Sequence, residues 1–151
     1  MTAVPSWLFG ALEDADVVEV KGDGHHSRIL AMHSYTGKWS TDEVPWCGSA
    51  VEAWLVESDV EGLGRKGALA RSWARWGRPE EALGAITVIK RRRRGSDART
   101  GSRGGYHVGL LLSRSRGGLV IWSGNAGDRV GADFYSLRSY DLVAMRMPLD
   151  F

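Results

Sequence analysis

The stretch YHVGLLLSRSRGGLVIWSGN, residues 106–125, holds the pattern on which the fold turns. Its apolar arms, Tyr106–Leu112 and Leu119–Ser123, are joined by Ser113-Arg114-Ser115-Arg116-Gly117-Gly118, too short a link for a helical crossover. The segment therefore reads as a hairpin of two antiparallel strands. Centring its turn on Arg116 sets residues whose numbers sum to 232 opposite one another, so that His107 faces Asn125 with the Cβ atoms roughly 5 Å apart on one face. The His107–Asn125 pairing depends on register, since a slip of one residue would send one partner to the other face.

Further β-type runs surround the hairpin: Ala85–Lys90 before it, Tyr140–Met147 after it, and a weaker run at Arg129–Ala132. Glycine-containing turns separate them. Upstream of Gly84 the apolar spacing is helical. Pro5 opens a helix over residues 5–14. His26, Ile29, Leu30 and His33 form a stripe over residues 25–35, which Gly37 ends. Residues 46–58 set Cys47, Val51, Trp54 and Leu55 on one face and Glu52 and Glu57 away from it. After a glycine-rich turn at 62–67, Leu69, Trp73 and Trp76 line a fourth helix that Gly77 and Pro79 terminate. Helices followed by strands predict an α+β domain with an antiparallel sheet of about five strands. At 151 residues the chain fits one domain, with a helical half at about 1–80 and a sheet half at about 84–148.

Composition narrows the function classes. Apolar residues at 43% and charged residues at 25% exclude a disordered chain. The net charge of +2 permits an anionic partner without requiring one. The sequence holds no run of about 18 apolar residues and its first residues carry no basic, then apolar, export signal, so a soluble protein without membrane insertion is expected. A single cysteine forms no internal disulfide.

That cysteine opens a helix on its apolar side. A thiol at a helix N-terminus beside an imidazole can have its pKa lowered to about 3.5–7.5, which makes a standing nucleophile. A histidine can take and return the proton, and an asparagine amide can hold the ring. Cys47, His107 and Asn125 fit these three roles, with Ser123 and Asp128 as substitutes for the third. The backbone N–H of Cys47 is a candidate oxyanion donor, a contact worth roughly 3 kcal/mol.

The segment Asp42-Glu43-Val44-Pro45-Trp46-Cys47, the Gly67–Gly77 stretch containing Ala70-Arg71-Ser72-Trp73, the Gly84-Ala85-Ile86 strand start, His107-Val108-Gly109 and Gly124-Asn125 resemble the NlpC/CHAP superfamily of small cysteine peptidases. The resemblance runs in order over nearly the whole chain. It implies a papain-like fold and hydrolysis of peptidoglycan amides through a thioester, as in phage endolysins, tail-associated wall hydrolases and bacterial autolysins. It makes Cys47 the nucleophile, His107 the base and Asn125 the third polar residue. The implied setting is release by lysis or a place in a phage-like particle, with peptidoglycan as partner alongside other virion proteins.

Trp46, Trp122, Tyr106 and Asp42 are candidate substrate contacts, the indoles as cleft walls against a glycan or stem peptide. Trp54, Trp73 and Trp76 follow core stripes. His25, His26 and His33 lack the cysteine or carboxylate companions of a metal site, and Asp23 and Gly24 fall short of a calcium loop, so neither metal nor cofactor is expected. Arg91, Arg92, Arg93 and Arg94, continued by Arg99 and Arg103, form a basic run fit for anionic polymer or substrate carboxylates. The same run allows a nucleic-acid-binding module as an alternative, although no aromatics interleave it for base stacking. An inactive protein retaining the hydrolase fold is the other alternative.

Overall fold

The computed structural model describes residues 3–19, 26–37 and 45–151. Three α-helices, α1 (Ser6–Leu12), α2 (Ser27–Ser34) and α3 (Cys47–Val56), precede two 3₁₀ turns, Gly64–Ala68 and Ala70–Arg75. Six strands follow: β1 (Arg78–Pro79), β2 (Ile86–Arg91), β3 (Tyr106–Arg114), β4 (Gly118–Ala126), β5 (Arg129–Ser136) and β6 (Tyr140–Met147). They form one antiparallel sheet in the order β1-β6-β2-β3-β4-β5. The α+β class is therefore present.

The sheet is curled. In a flat sheet β5 and β6 would stand four strand spacings apart, about 19 Å. The link between them is only residues 137–139, and the four steps from Ser136 to Tyr140 span at most about 14 Å. Curling brings the ends together, and the rings of Tyr135 and Tyr140 meet edge to face at 5.1 Å.

Helix α3 packs against the sheet at β3 and β4, with α1 and α2 also against it. Nine of its ten residues are buried, because it is covered on all sides. Two glycines permit this closeness. A Cβ on Gly124 would fall 2.6 Å from the Trp46 ring, and one on Gly48 would fall 2.1 Å from the Gly67 carbonyl oxygen. The buried indoles find acceptors, as amphipathic rings in a core must: Trp7 donates to the Gly84 carbonyl at 2.8 Å and Trp73 to that of Gly67 at 2.9 Å.

Three expectations change. The fourth helix is replaced by the pair of 3₁₀ turns, because Leu69 between them is extended (ψ 121°) and Gly77 closes the segment with φ +62°. The sheet gains β1, whose Pro79 sits on the edge strand, where a missing N–H is tolerated. Glu52 is not on a solvent face. It is buried and accepts from the N–H groups of Leu63 (2.9 Å) and Gly64 (2.7 Å), bracing the loop at 62–64.

Among the described residues no helix is long and apolar enough to cross a membrane.

Candidate active site

Cys47 is the first residue of α3 and is 5% exposed, at the floor of a cavity of about 690 Å³. Pro45, Ala68, Leu69, Ala70 and Arg71 wall the cavity on the helical side, and Ser102, Arg103, Gly104 and Tyr106 complete it. Of the four candidate contact residues, Tyr106 lines this cavity.

The helix start gives the sulfur polar neighbours. Backbone N–H groups of Val108, Gly48 and Cys47 itself point toward it and act to lower the thiol pKa. Burial outweighs them and pushes the thiol above its ordinary value. A standing thiolate, expected from the helix position, is therefore absent: the helix end contributes in the right direction, but the loss of water decides. Trp46, the residue before the helix, offers no side-chain cap.

Val108 follows His107 on β3, so the thiol meets the strand one residue beyond the imidazole. His107 is fully buried. Its Nε2 lies 2.8 Å from the Ser123 hydroxyl, its Nδ1 has no hydrogen-bond partner, and its ring stands 5.6 Å from that of Tyr135. Burial drives its pKa down to about 4, the nearby charge of Asp97 opposing and that of Arg99 assisting. Thiol and imidazole are accordingly both neutral at neutral pH. No hydrogen bond joins them among the described residues.

The partner of His107 is Ser123, not Asn125. The hairpin follows the expected register where Leu110 faces Trp122 and Leu111 faces Ile121, then shifts by one residue toward the turn, with Ser113 opposite Val120. Asn125 lies beyond the last β3–β4 pair and adopts φ +59°, a left-handed conformation that asparagine tolerates. Its amide donates to the Thr100 carbonyl at 2.6 Å, tying the β4 end to the loop before β3. Ser123 reaches the ring because Gly109 leaves room: a Cβ there would fall 2.7 Å from the Ser123 Cβ.

Neither candidate indole walls the cavity. Trp46 is fully buried against Gly124, its Nε1 donating to Glu19 at 3.3 Å, and Trp122 donates to the Ala11 carbonyl of α1 at 3.0 Å. Asp42 and His25 lie outside the described residues. His26 caps α2 by accepting from the Arg28 N–H, and His33 is buried with Nδ1 3.0 Å from the Ser49 hydroxyl. Among the described residues no cluster of histidine, cysteine and carboxylate side chains could hold a metal ion.

The basic run is partly neutralised. Arg91 pairs with buried Asp97 at 2.8 Å and Arg92 with Asp141 at 3.3 Å, leaving Arg93 and Arg94 exposed. Asp97 also accepts from the Tyr140 hydroxyl at 2.6 Å. Although burial acts to raise it, these hydrogen bonds and the Arg99 N–H hold its carboxyl below the ordinary value. Arg91 thus serves a structural cluster at the base of the loop, which weakens the case for a nucleic-acid interface.

Sequence reasoning ranked Ser123 only as a substitute and did not foresee Arg71 and Arg103 as cavity walls. Their approach to Cys47 depends on loop paths that periodicity does not encode. No family model, curated protein or solved structure matches the chain.

Proposed function

We propose that the protein is a cysteine-dependent amide hydrolase acting on peptidoglycan. The observation that carries the reading is the position of the Cys47 sulfur, in a cavity at a helix N-terminus and against the N–H of the residue that follows His107. A lone cysteine would be a small core residue; here the residue lines a cavity of about 690 Å³. The resemblance of the Asp42–Cys47, His107–Gly109 and Gly124–Asn125 segments to wall-cleaving peptidases supports the substrate class.

In this reading an amide carbonyl enters the cavity and Sγ attacks its carbon. The thiol proton passes to His107 Nδ1 as the bond forms, since both groups begin neutral. The free Nδ1 lone pair requires the tautomer in which Nε2–H donates to Ser123 Oγ, so Ser123 is the residue that orients the base. The imidazolium then protonates the leaving amine, the C–N bond breaks, and a thioester remains. Water, deprotonated by the same nitrogen, releases the acid and restores the thiol. The Cys47 N–H, which points toward the sulfur in the resting site, turns to the oxyanion as the tetrahedral centre forms.

The test is incubation of wild type and Cys47→Ala with purified sacculi, followed by mass spectrometry of released fragments. New amine and carboxyl ends from the wild type alone are expected. Absence of new ends from both proteins defeats the proposal.

A further inference from the structure

Among the described residues, the walls of the cavity at Cys47 carry two guanidiniums and no carboxylate. Arg71 comes from the second 3₁₀ turn and Arg103 from the loop before β3, so separate segments line the cavity that Cys47 also lines. Both side chains are exposed, and neither has a hydrogen-bond or ion-pair partner among the described residues. Elsewhere in the chain Arg28, Arg78, Arg91, Arg92 and Arg114 each meet a carboxylate. Lys90, with its Nζ 5.8 Å from the Tyr106 ring centroid, adds positive charge behind one wall. Unpaired cations in a cleft with low-dielectric walls concentrate anions there, and guanidinium forks match a carboxylate in a bidentate contact. Ala68, Leu69 and Ala70 give the same cavity an apolar wall.

We infer that the cavity selects an acyl donor bearing free carboxylates beside the scissile amide, and that Arg71 and Arg103 read them. This inference rests on Cys47 as the nucleophile and adds the feature that selects the amide. It also moves the recognition of substrate carboxylates away from the Arg91–Arg94 run, half of which is engaged with Asp97 and Asp141.

The test compares muropeptides whose stem carboxylates are free with the same muropeptides amidated. Wild type, Arg71→Gln, Arg103→Gln and the double variant are measured for turnover, and Cys47→Ala for binding by calorimetry. A charge-assisted contact predicts a preference of about tenfold or more for the free form, residing in KM. The preference should fall to within about threefold in the double variant, and shrink as salt rises from about 50 to about 500 mM. Equal handling of free and amidated forms by an active wild type overturns the inference and leaves the hydrolase reading standing. A preference that survives in the double variant overturns it as well. Lack of turnover with both forms defeats the hydrolase reading. Binding to Cys47→Ala then decides the inference separately: a preference for the free form upholds it, and none overturns it.

Discussion

His107 Nε2 and Ser123 Oγ stand 2.8 Å apart on neighbouring strands, both buried. This contact gives the imidazole a defined orientation and leaves Nδ1 as its only free nitrogen. Ser123→Ala should therefore lower kcat about tenfold, the worth of one hydrogen bond to the base, and Ser123→Thr should restore most of it. Asn125→Ala should cost about 1–2 kcal/mol of stability through the lost Thr100 contact, with kcat little changed. Turnover of sacculi fragments and urea unfolding separate the two. The reverse ranking would reinstate Asn125 as the orienting residue.

Stability should fall as the solution is acidified below neutrality. The His107 pKa drops from 6.5 to about 4 on folding because burial disfavours the imidazolium. Between these values the unfolded chain binds the proton more readily, so the stabilisation is complete above pH 6.5 and is lost as the pH falls toward 4. The full loss is about 3 kcal/mol. His107→Gln should flatten this part of the profile, measured as urea midpoints between pH 7 and pH 4. The depressed carboxyl of Asp97 adds a further loss only at more acidic pH, below its ordinary value of 3.8. A profile equally steep in the variant would assign the effect elsewhere.

The thiol should alkylate slowly. Burial keeps Cys47 protonated, so iodoacetamide should modify it more slowly at pH 7 than it modifies free cysteine, with the rate still climbing above pH 9. A preformed thiolate–imidazolium pair would instead react fast and evenly from mildly acidic to alkaline pH. Mass-resolved labelling across that range distinguishes the two states.

Much of the chain was legible because apolar periodicity is a local property. Tyr140–Met147 was readable residue for residue, and Cys47 at a helix start needed only the spacing of Val51, Trp54 and Leu55. What periodicity does not report is which side chains meet across elements. The β-bulge between Leu111 and Ser113 moves the register by one residue, so a single turn centre does not describe the whole hairpin. Asn125 was recognisable as polar and near His107, yet its positive φ turns its amide to Thr100. Adjacency to Cys47 suggests a cleft wall for Trp46, but adjacent residues at a helix entry point in different directions, and Trp46 is buried against Gly124. The thiol's upward shift was hidden because burial, unlike a helix end, is a property of the whole fold.

Glu52 should matter for stability despite carrying a charge inside the core. Removing its carboxylate strands two backbone N–H groups at 63 and 64, so Glu52→Ala should destabilise by about 3 kcal/mol. Denaturant titration reads the loss. A change under about 0.5 kcal/mol would show that water satisfies both donors without help.

The close seat of Gly48 on the backbone of Gly67 and Ala68 sets a limit on redesign. The helix that carries the sulfur and the segment that forms one cavity wall share a single steric stop, so neither moves alone. Grafting a different 64–71 segment would shift Cys47 with it, whereas changes confined to the tips of Arg71 and Arg103 would not. The cavity wall and the sulfur are therefore separable at side-chain ends and inseparable at the main chain.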